Sequence, residues 1–168
     1  EEDSPLEVVI GQLLKAKNWQ LGTAESCTGG AVAQRLTSIP GSSAYFRGSV
    51  VAYDNDLKES LLGVNAETLG EHGAVSEATV REMAEGARAR LGCDVALATS
   101  GIAGPGGGTP LKPVGTIFIA CATPTGTVSR QISIDRGRQT NIEYTTQAVL
   151  ILLWQQLAGH REAELLKI

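Results

Sequence analysis

Seven consecutive residues, Ala24-Glu25-Ser26-Cys27-Thr28-Gly29-Gly30, put a carboxylate, two hydroxyls, a thiol and a glycine pair between an apolar run and a stretch of small helix formers. That is a place for nucleophilic chemistry. Leu21-Gly22-Thr23-Ala24 has the character of a short buried strand, and Ala31 to Leu36 that of a helix with no bulky side chain at its start. The first amides of such a helix lack intrahelical acceptors, so they can hold an anion or the oxyanion of a tetrahedral intermediate, and glycine lets a ligand come close. Thr28, Gly29 and Gly30 are the expected donors. Ser26 and Thr28 fall within reach of anything bound there, and the plainer alternative is that one of them only caps the helix. Cys27 is the rival nucleophile. If strand alternation persists through the turn, Ser26 and Cys27 point to opposite sides, Cys27 packs under the loop, and Glu25 bonds loop amides.

A serine nucleophile needs a base, an acid for the leaving group and donors for the oxyanion. The two histidines offer little. His72 falls in a turn-like Glu71-His72-Gly73 and His160 in a polar tail, so a Ser-His-Asp triad is poorly supported. A desolvated lysine is the natural substitute, because burial lowers its pKa. By itself, though, Lys58 reads as a surface lysine. A second glycine loop, Ser100-Gly101-Ile102-Ala103-Gly104-Pro105-Gly106-Gly107-Gly108-Thr109, also follows a buried strand. It is either a flexible connector or a ligand wall beyond the strand's carboxyl end, and it lacks the Walker lysine.

The elements that must position these loops alternate along the chain. Leu6 to Leu14 form an amphipathic helix after Pro5, and Leu21 to Glu25 a strand leading to the helix after Gly29. Phe46 to Tyr53 follows as a strand, then Asn55 to Leu62 as a short helix ending at Gly63. Ser76 caps a helix to Leu91, and Val95 to Thr99 is a buried strand. Val114 to Ala122 and Thr127 to Ile134 make a hairpin, and Thr140-Asn141-Ile142-Glu143 has the form of a capping box opening a last helix to Leu157. This order predicts one α/β layered domain over residues 1–168, with a mixed β-sheet flanked by helices. Its core spans about 6–157, and 158–168 is a charged tail, frayed or docked on a partner.

The 168 residues suit one domain, and the formal charge of −4 disfavours nucleic acid or an anionic membrane as partner while leaving room for a local phosphate pocket. No apolar run is long enough for a membrane span, and Glu1-Glu2-Asp3 is unlike a signal peptide, so a cytoplasmic location is expected. Cys27, Cys93 and Cys121 lack metal-ligand or disulfide spacing and read as buried thiols. No metal and no cofactor are expected.

AESCTGG, IPGSSAYFRGSVVAYDNDLK, EHGAVSEATVREMAEGAR and SGIAGPGGGTPLKPVG occur in that order, and together they resemble the CinA carboxy-terminal domain family, nicotinamide mononucleotide deamidases of the PncC type. The resemblance runs from about Leu6 to Leu157. It implies an amidohydrolase that converts nicotinamide mononucleotide to nicotinic acid mononucleotide and ammonia. It also implies Ser26 as nucleophile, Lys58 as its base, and Tyr53 as a hydroxyl that orients Lys58 or relays its proton. Ser100, Gly101, Ile102, Ala103 and Gly104 become a substrate wall, with Ser100 and Asp54 standing where the family usually has threonine and serine. Asp135-Arg136 resembles the family's turn before the last helix, which makes Arg136 the first choice for the phosphate, with Arg138 as substitute and Arg47 a further candidate. The expected partners are a pyridine mononucleotide and a second copy of the chain, most simply a homodimer. A non-enzymatic nucleotide-binding or regulatory module, fused to another domain, is the alternative.

Overall fold

A computed structural model describes residues 4–159. Its elements are α1 (Leu6–Lys17), β1 (Leu21–Glu25), α2 (Ala31–Thr37), a short 3-10 turn (Ser42–Ala44), β2 (Phe46–Val51), α3 (Asn55–Leu62), α4 (Ala66–His72), α5 (Glu77–Arg90), β3 (Val95–Gly101), β4 (Thr116–Thr123), β5 (Gly126–Ser133) and α6 (Arg138–Ala158). The strands form one sheet in the order β2-β1-β3-β4-β5. β1 is parallel to both β2 and β3, whereas β4 and β5 are antiparallel additions, so the sheet is mixed as the sequence predicts. The parallel register pairs Glu25 with Val51 and with Thr99, which brings three strand ends together.

Alternation along the strands explains the two faces. Leu21, Val95, Leu97, Ile117, Ile119 and Cys121 pack with Ile10, Leu14, Val32, Leu36, Val149, Leu150 and Leu153 of α1, α2 and α6. The opposite face is built largely of alanine: Ala24, Ala96, Ala98, Ala120 and Ala122 lie under Leu62 of α3 and Val80, Met83, Ala84 and Ala87 of α5. Small side chains there let helices come close. Gly86 shows the limit, since a Cβ on it would stand 1.7 Å from the Leu62 carbonyl oxygen.

Local signals set most boundaries. Asp54 caps α3 by accepting from the Asp56 amide, Gly63 ends it with φ 70°, and Ser76 caps α5 by accepting from the Thr79 amide at 3.1 Å. Three expectations need correction. The strand expected to reach Tyr53 stops at Val51, because Asp54 already begins the next helix. α4 has no buried residue and hence no apolar stripe to announce it, so His72 ends a helix rather than lying in a free turn. Thr140 and Glu143 form no capping box. α6 starts earlier, at Arg138, because Asn141 Oδ1 accepts from the Arg136 amide and its Nδ2 donates to the Ala103 carbonyl, fixing the turn one step upstream. Beyond Gly159 the charged tail and His160 lie outside the described residues. Among the described residues no helix is long and apolar enough to cross a membrane.

Candidate active site

Ser26 follows directly on the end of β1 and meets a lysine delivered from another element. Lys58 sits in α3 with only 1 % of its surface exposed. Its Nζ lies 3.2 Å from Ser26 Oγ, 2.9 Å from the Ala52 carbonyl and 3.0 Å from the Tyr53 carbonyl. These three partners suit both protonation states. A neutral amine donates its two N–H bonds to the carbonyls and turns its lone pair to the Ser26 hydroxyl; an ammonium donates to all three oxygens. Burial pushes the ammonium below the ordinary lysine range, and the nearby Asp54 and Cys27 oppose that shift only in part. The site can therefore take a proton from Ser26 and return it.

Around this pair is a cavity of about 210 Å³, lined by Ser26, Cys27, Tyr53, Asn55, Lys58, Ala74, Val75, Ser100, Gly101, Ala103 and Arg138. A groove between α2 and α6, about 250 Å³ and lined by Gln34, Arg35 and Glu143 among others, has no serine, cysteine or lysine in its lining. Of the residues singled out from sequence, Ser26, Lys58, Tyr53, Ser100, Gly101 and Ala103 meet in the first cavity. Ser100 Oγ donates to the Ala74 carbonyl at 2.7 Å, which ties the second glycine loop to the lead-in of α5.

Other expectations change. Cys27 lines the cavity beside Ser26, because β1 ends at Glu25 and strand alternation no longer governs the turn. Its chemistry is still suppressed: burial pushes the thiol up to about 12, so it stays protonated near neutral pH. The first turn of α2 is not open to ligand. Glu25 Oε1 accepts from the amides of Gly30 (3.1 Å) and Val32 (2.9 Å), and Oε2 from Ala33 (3.0 Å), while the Gly29 amide donates to the Ser26 carbonyl. Of the loop amides expected to face a ligand, only that of Thr28 has no protein acceptor among the described hydrogen bonds. The Thr28 hydroxyl is turned inward, to Glu25 and Thr99. Neither Ser26 nor Thr28 caps α2, whose cap is Gly30 in a left-handed conformation at φ 105°. Tyr53 reaches Lys58 through its carbonyl, and its hydroxyl accepts instead from Arg138 Nη2 at 3.1 Å. Gly104 takes part through its carbonyl, which accepts from Arg138 Nη1 at 2.7 Å, and Ile102 lies outside the lining.

Of the candidate arginines, Arg138 lines this cavity and Arg136 and Arg47 do not. Arg136 lines a separate surface hollow with Asp135 and Tyr144, and Arg47 donates to the Leu91 carbonyl at the edge of the sheet. Arg138, at the first turn of α6, stands at the cavity mouth with two neutral partners and no carboxylate within 4.0 Å among the described residues. Asn55 was not singled out by the sequence; its only signal is its place at the start of the helix that carries Lys58. Cys27, Cys93 and Cys121 are free and buried.

Comparison with known proteins gives the family. The model of the CinA C-terminal domain matches residues 3–157. The chain belongs to the CinA C-terminal domain family. It is 50% identical over 152 residues to a CinA-like protein of Cytophaga hutchinsonii, covering 90% of this chain and 36% of that one. With a CinA-like protein of Chloroherpeton thalassium it shares 55% identity over 131 residues, 78% of this chain and 31% of the relative. The chain thus spans about a third of the length of these curated relatives. The crystal structure of competence damage-inducible protein A from Klebsiella pneumoniae superimposes with a TM-score of 0.88 at 37% identity, covering 92% of this chain and 96% of that one. That of a competence/damage inducible protein from Agrobacterium tumefaciens gives 0.86 at 37%, covering 95% and 100%. The CinA C-terminal domain of this family is thus also found as a solved chain of nearly the same extent.

Proposed function

We propose that this CinA C-terminal domain is an amidohydrolase that converts nicotinamide mononucleotide to nicotinic acid mononucleotide and ammonia. The observation that carries the reading is the buried Lys58 amine, held by two carbonyls with its third direction on Ser26 Oγ. In this scheme Lys58 Nζ takes the hydroxyl proton as Oγ bonds to the carboxamide carbon, and the amides of Cys27 and Thr28, which have no protein acceptor among the described hydrogen bonds, are the loop donors left for the oxyanion. Collapse of the intermediate breaks the C–N bond, and Lys58 gives its proton to the departing nitrogen, which leaves as ammonia. Water then attacks the Ser26 ester, Lys58 takes and returns a second proton, and the carboxylic acid departs with Ser26 restored. No oxidant or metal enters the balance.

The cavity, about 210 Å³, lies below the ~300–1,000 Å³ usual for enclosed small-molecule sites, which suits the ring end of a nucleotide with its phosphate at the mouth. Arg138 supplies the cation there, uncompensated by any carboxylate within 4.0 Å among the described residues. A module that only binds a nucleotide gains nothing from a desolvated lysine against a serine, and this favours the hydrolase over a purely regulatory domain. The test is ammonia release from nicotinamide mononucleotide by purified protein, with Ser26→Ala as the control. Tight binding without ammonia release in the unaltered protein would overturn the hydrolase in favour of the binding module.

A further inference from the structure

We infer that Glu25 is a positioning residue for Ser26: its carboxylate ties the start of α2 to the end of β1 and so holds the nucleophile's turn against Lys58. The inference rests on the reading of Ser26 as nucleophile. Glu25 is fully buried and has no cation within 4.0 Å among the described residues. Its charge is met by hydrogen bonds alone. Oε1 accepts from Thr28 Oγ1 at 2.7 Å and from the Gly30 and Val32 amides; Oε2 accepts from the Ala33 amide, with Ser49 Oγ at 3.3 Å and Thr23 Oγ1 at 3.4 Å. An unpaired buried carboxylate is tolerated only where such donors converge on it. The donors come from Thr23 of β1, Ser49 of β2, Thr28 and Gly30 of the turn that follows Ser26, and Val32 and Ala33 in the first turn of α2, so the carboxylate binds the far side of that turn and the helix start to the end of β1. Ser26 itself is tied through its backbone, its amide donating to the Thr99 carbonyl at 3.1 Å and its carbonyl accepting from the Gly29 amide at 3.0 Å. Its hydroxyl distance to Lys58 is thus set by a frame that closes on Glu25.

Glu25 already takes the amides of Gly30, Val32 and Ala33, so a substrate's negative group is met elsewhere, and Arg138 lines the cavity with no carboxylate within 4.0 Å among the described residues.

Glu25→Gln keeps the shape but turns an NH2 donor toward donors, and Glu25→Asp keeps the charge on a stem one methylene too short to span the same amides. The variants are compared with the unaltered full chain below each one's own Tm. Two rates are read per folded molecule: turnover of nicotinamide mononucleotide, and covalent capture of Ser26 by a fluorophosphonate, followed as adduct mass. Both variants should lose at least tenfold in kcat and in capture rate, with KM within twofold and the pH midpoint of the Lys58 limb unmoved, since only the placement of Ser26 changes. A structural role alone would lower Tm while leaving both rates per folded molecule within twofold of the unaltered chain, and that result overturns the inference. If the unaltered chain is captured at Ser26 but releases no ammonia, the substrate reading fails while the capture rates still decide the role of Glu25. Absence of both reactions in the unaltered chain removes Ser26 as nucleophile and takes the inference with it.

Discussion

Ser26 Oγ and Lys58 Nζ are 3.2 Å apart across 32 positions of sequence, one at the end of a strand and the other on a helix that the next crossover brings back over the same sheet face. The carbonyls of Ala52 and Tyr53 accept two of the amine's protons, which leaves its third direction on Ser26. The third direction is the one that the proposed hydrolysis uses.

Ser26→Ala should therefore abolish deamidation and leave the fold unchanged. Ser26 caps no helix, so the ~0.5–2 kcal/mol attached to a lost cap does not apply. Cys27→Ala should keep most of the activity, because its thiol is held protonated. Circular dichroism melts and an ammonia assay check both. An active Ser26→Ala beside an inactive Cys27→Ala would move the nucleophile to the thiol.

The rate should rise with pH along a limb whose midpoint lies below the ~10.4 of free lysine. The sign follows from burial, which penalises the ammonium and so enlarges the neutral fraction at any given pH. The same depression makes the unfolded chain bind more protons than the folded one between the two pKa values. Over that window the Lys58 contribution to stability increases with pH. Lys58→Arg should be nearly inactive, since guanidinium keeps its proton. A pH-rate profile with an ordinary lysine midpoint, or a Lys58→Arg chain with near-normal turnover, would contradict the general-base role.

Arg138→Ala should raise KM for nicotinamide mononucleotide by about ten- to a hundredfold, the equivalent of ~1.5–3 kcal/mol for a hydrogen bond to a charged group. The phosphate-free nucleoside should hardly notice the change, and Arg136→Ala should stay within twofold on either substrate. Steady-state kinetics on the pair of substrates separates a phosphate contact from a loss of cavity shape. Equal effects on both substrates would remove Arg138 from the phosphate.

Gly86→Ala should destabilise the fold by at least the ~1–3 kcal/mol typical of overpacking, because the new methyl collides with the Leu62 carbonyl. Leu62 ends the helix that carries Lys58, so kcat should fall as well. Thermal melts with turnover measured below the transition give both quantities. A variant as stable as the parent would show that α5 can shift at no cost.

Periodicity determined a great deal of this molecule. Strand alternation set Glu25 and Ser26 on opposite sides of the strand end and gave Glu25 the loop amides as its partners. Buried strands followed by glycine loops marked the ends where a site forms, and cap residues such as Ser76 marked helix starts, since these are local effects of adjacent residues. The family motifs supplied Lys58 and Tyr53 as candidates, which composition alone leaves on the surface. What remained depended on contacts between distant segments. Tertiary packing decided that Glu25 fills the helix start, that the Tyr53 carbonyl rather than its hydroxyl holds the lysine, and that Arg138 rather than Arg136 faces the cavity. Arg136 precedes Gly137, the N-cap of α6, and Arg138 is the first residue of the helix, so only the placement of α6 against the second glycine loop, through Asn141 and the Ala103 carbonyl, settles which of them reaches the cavity.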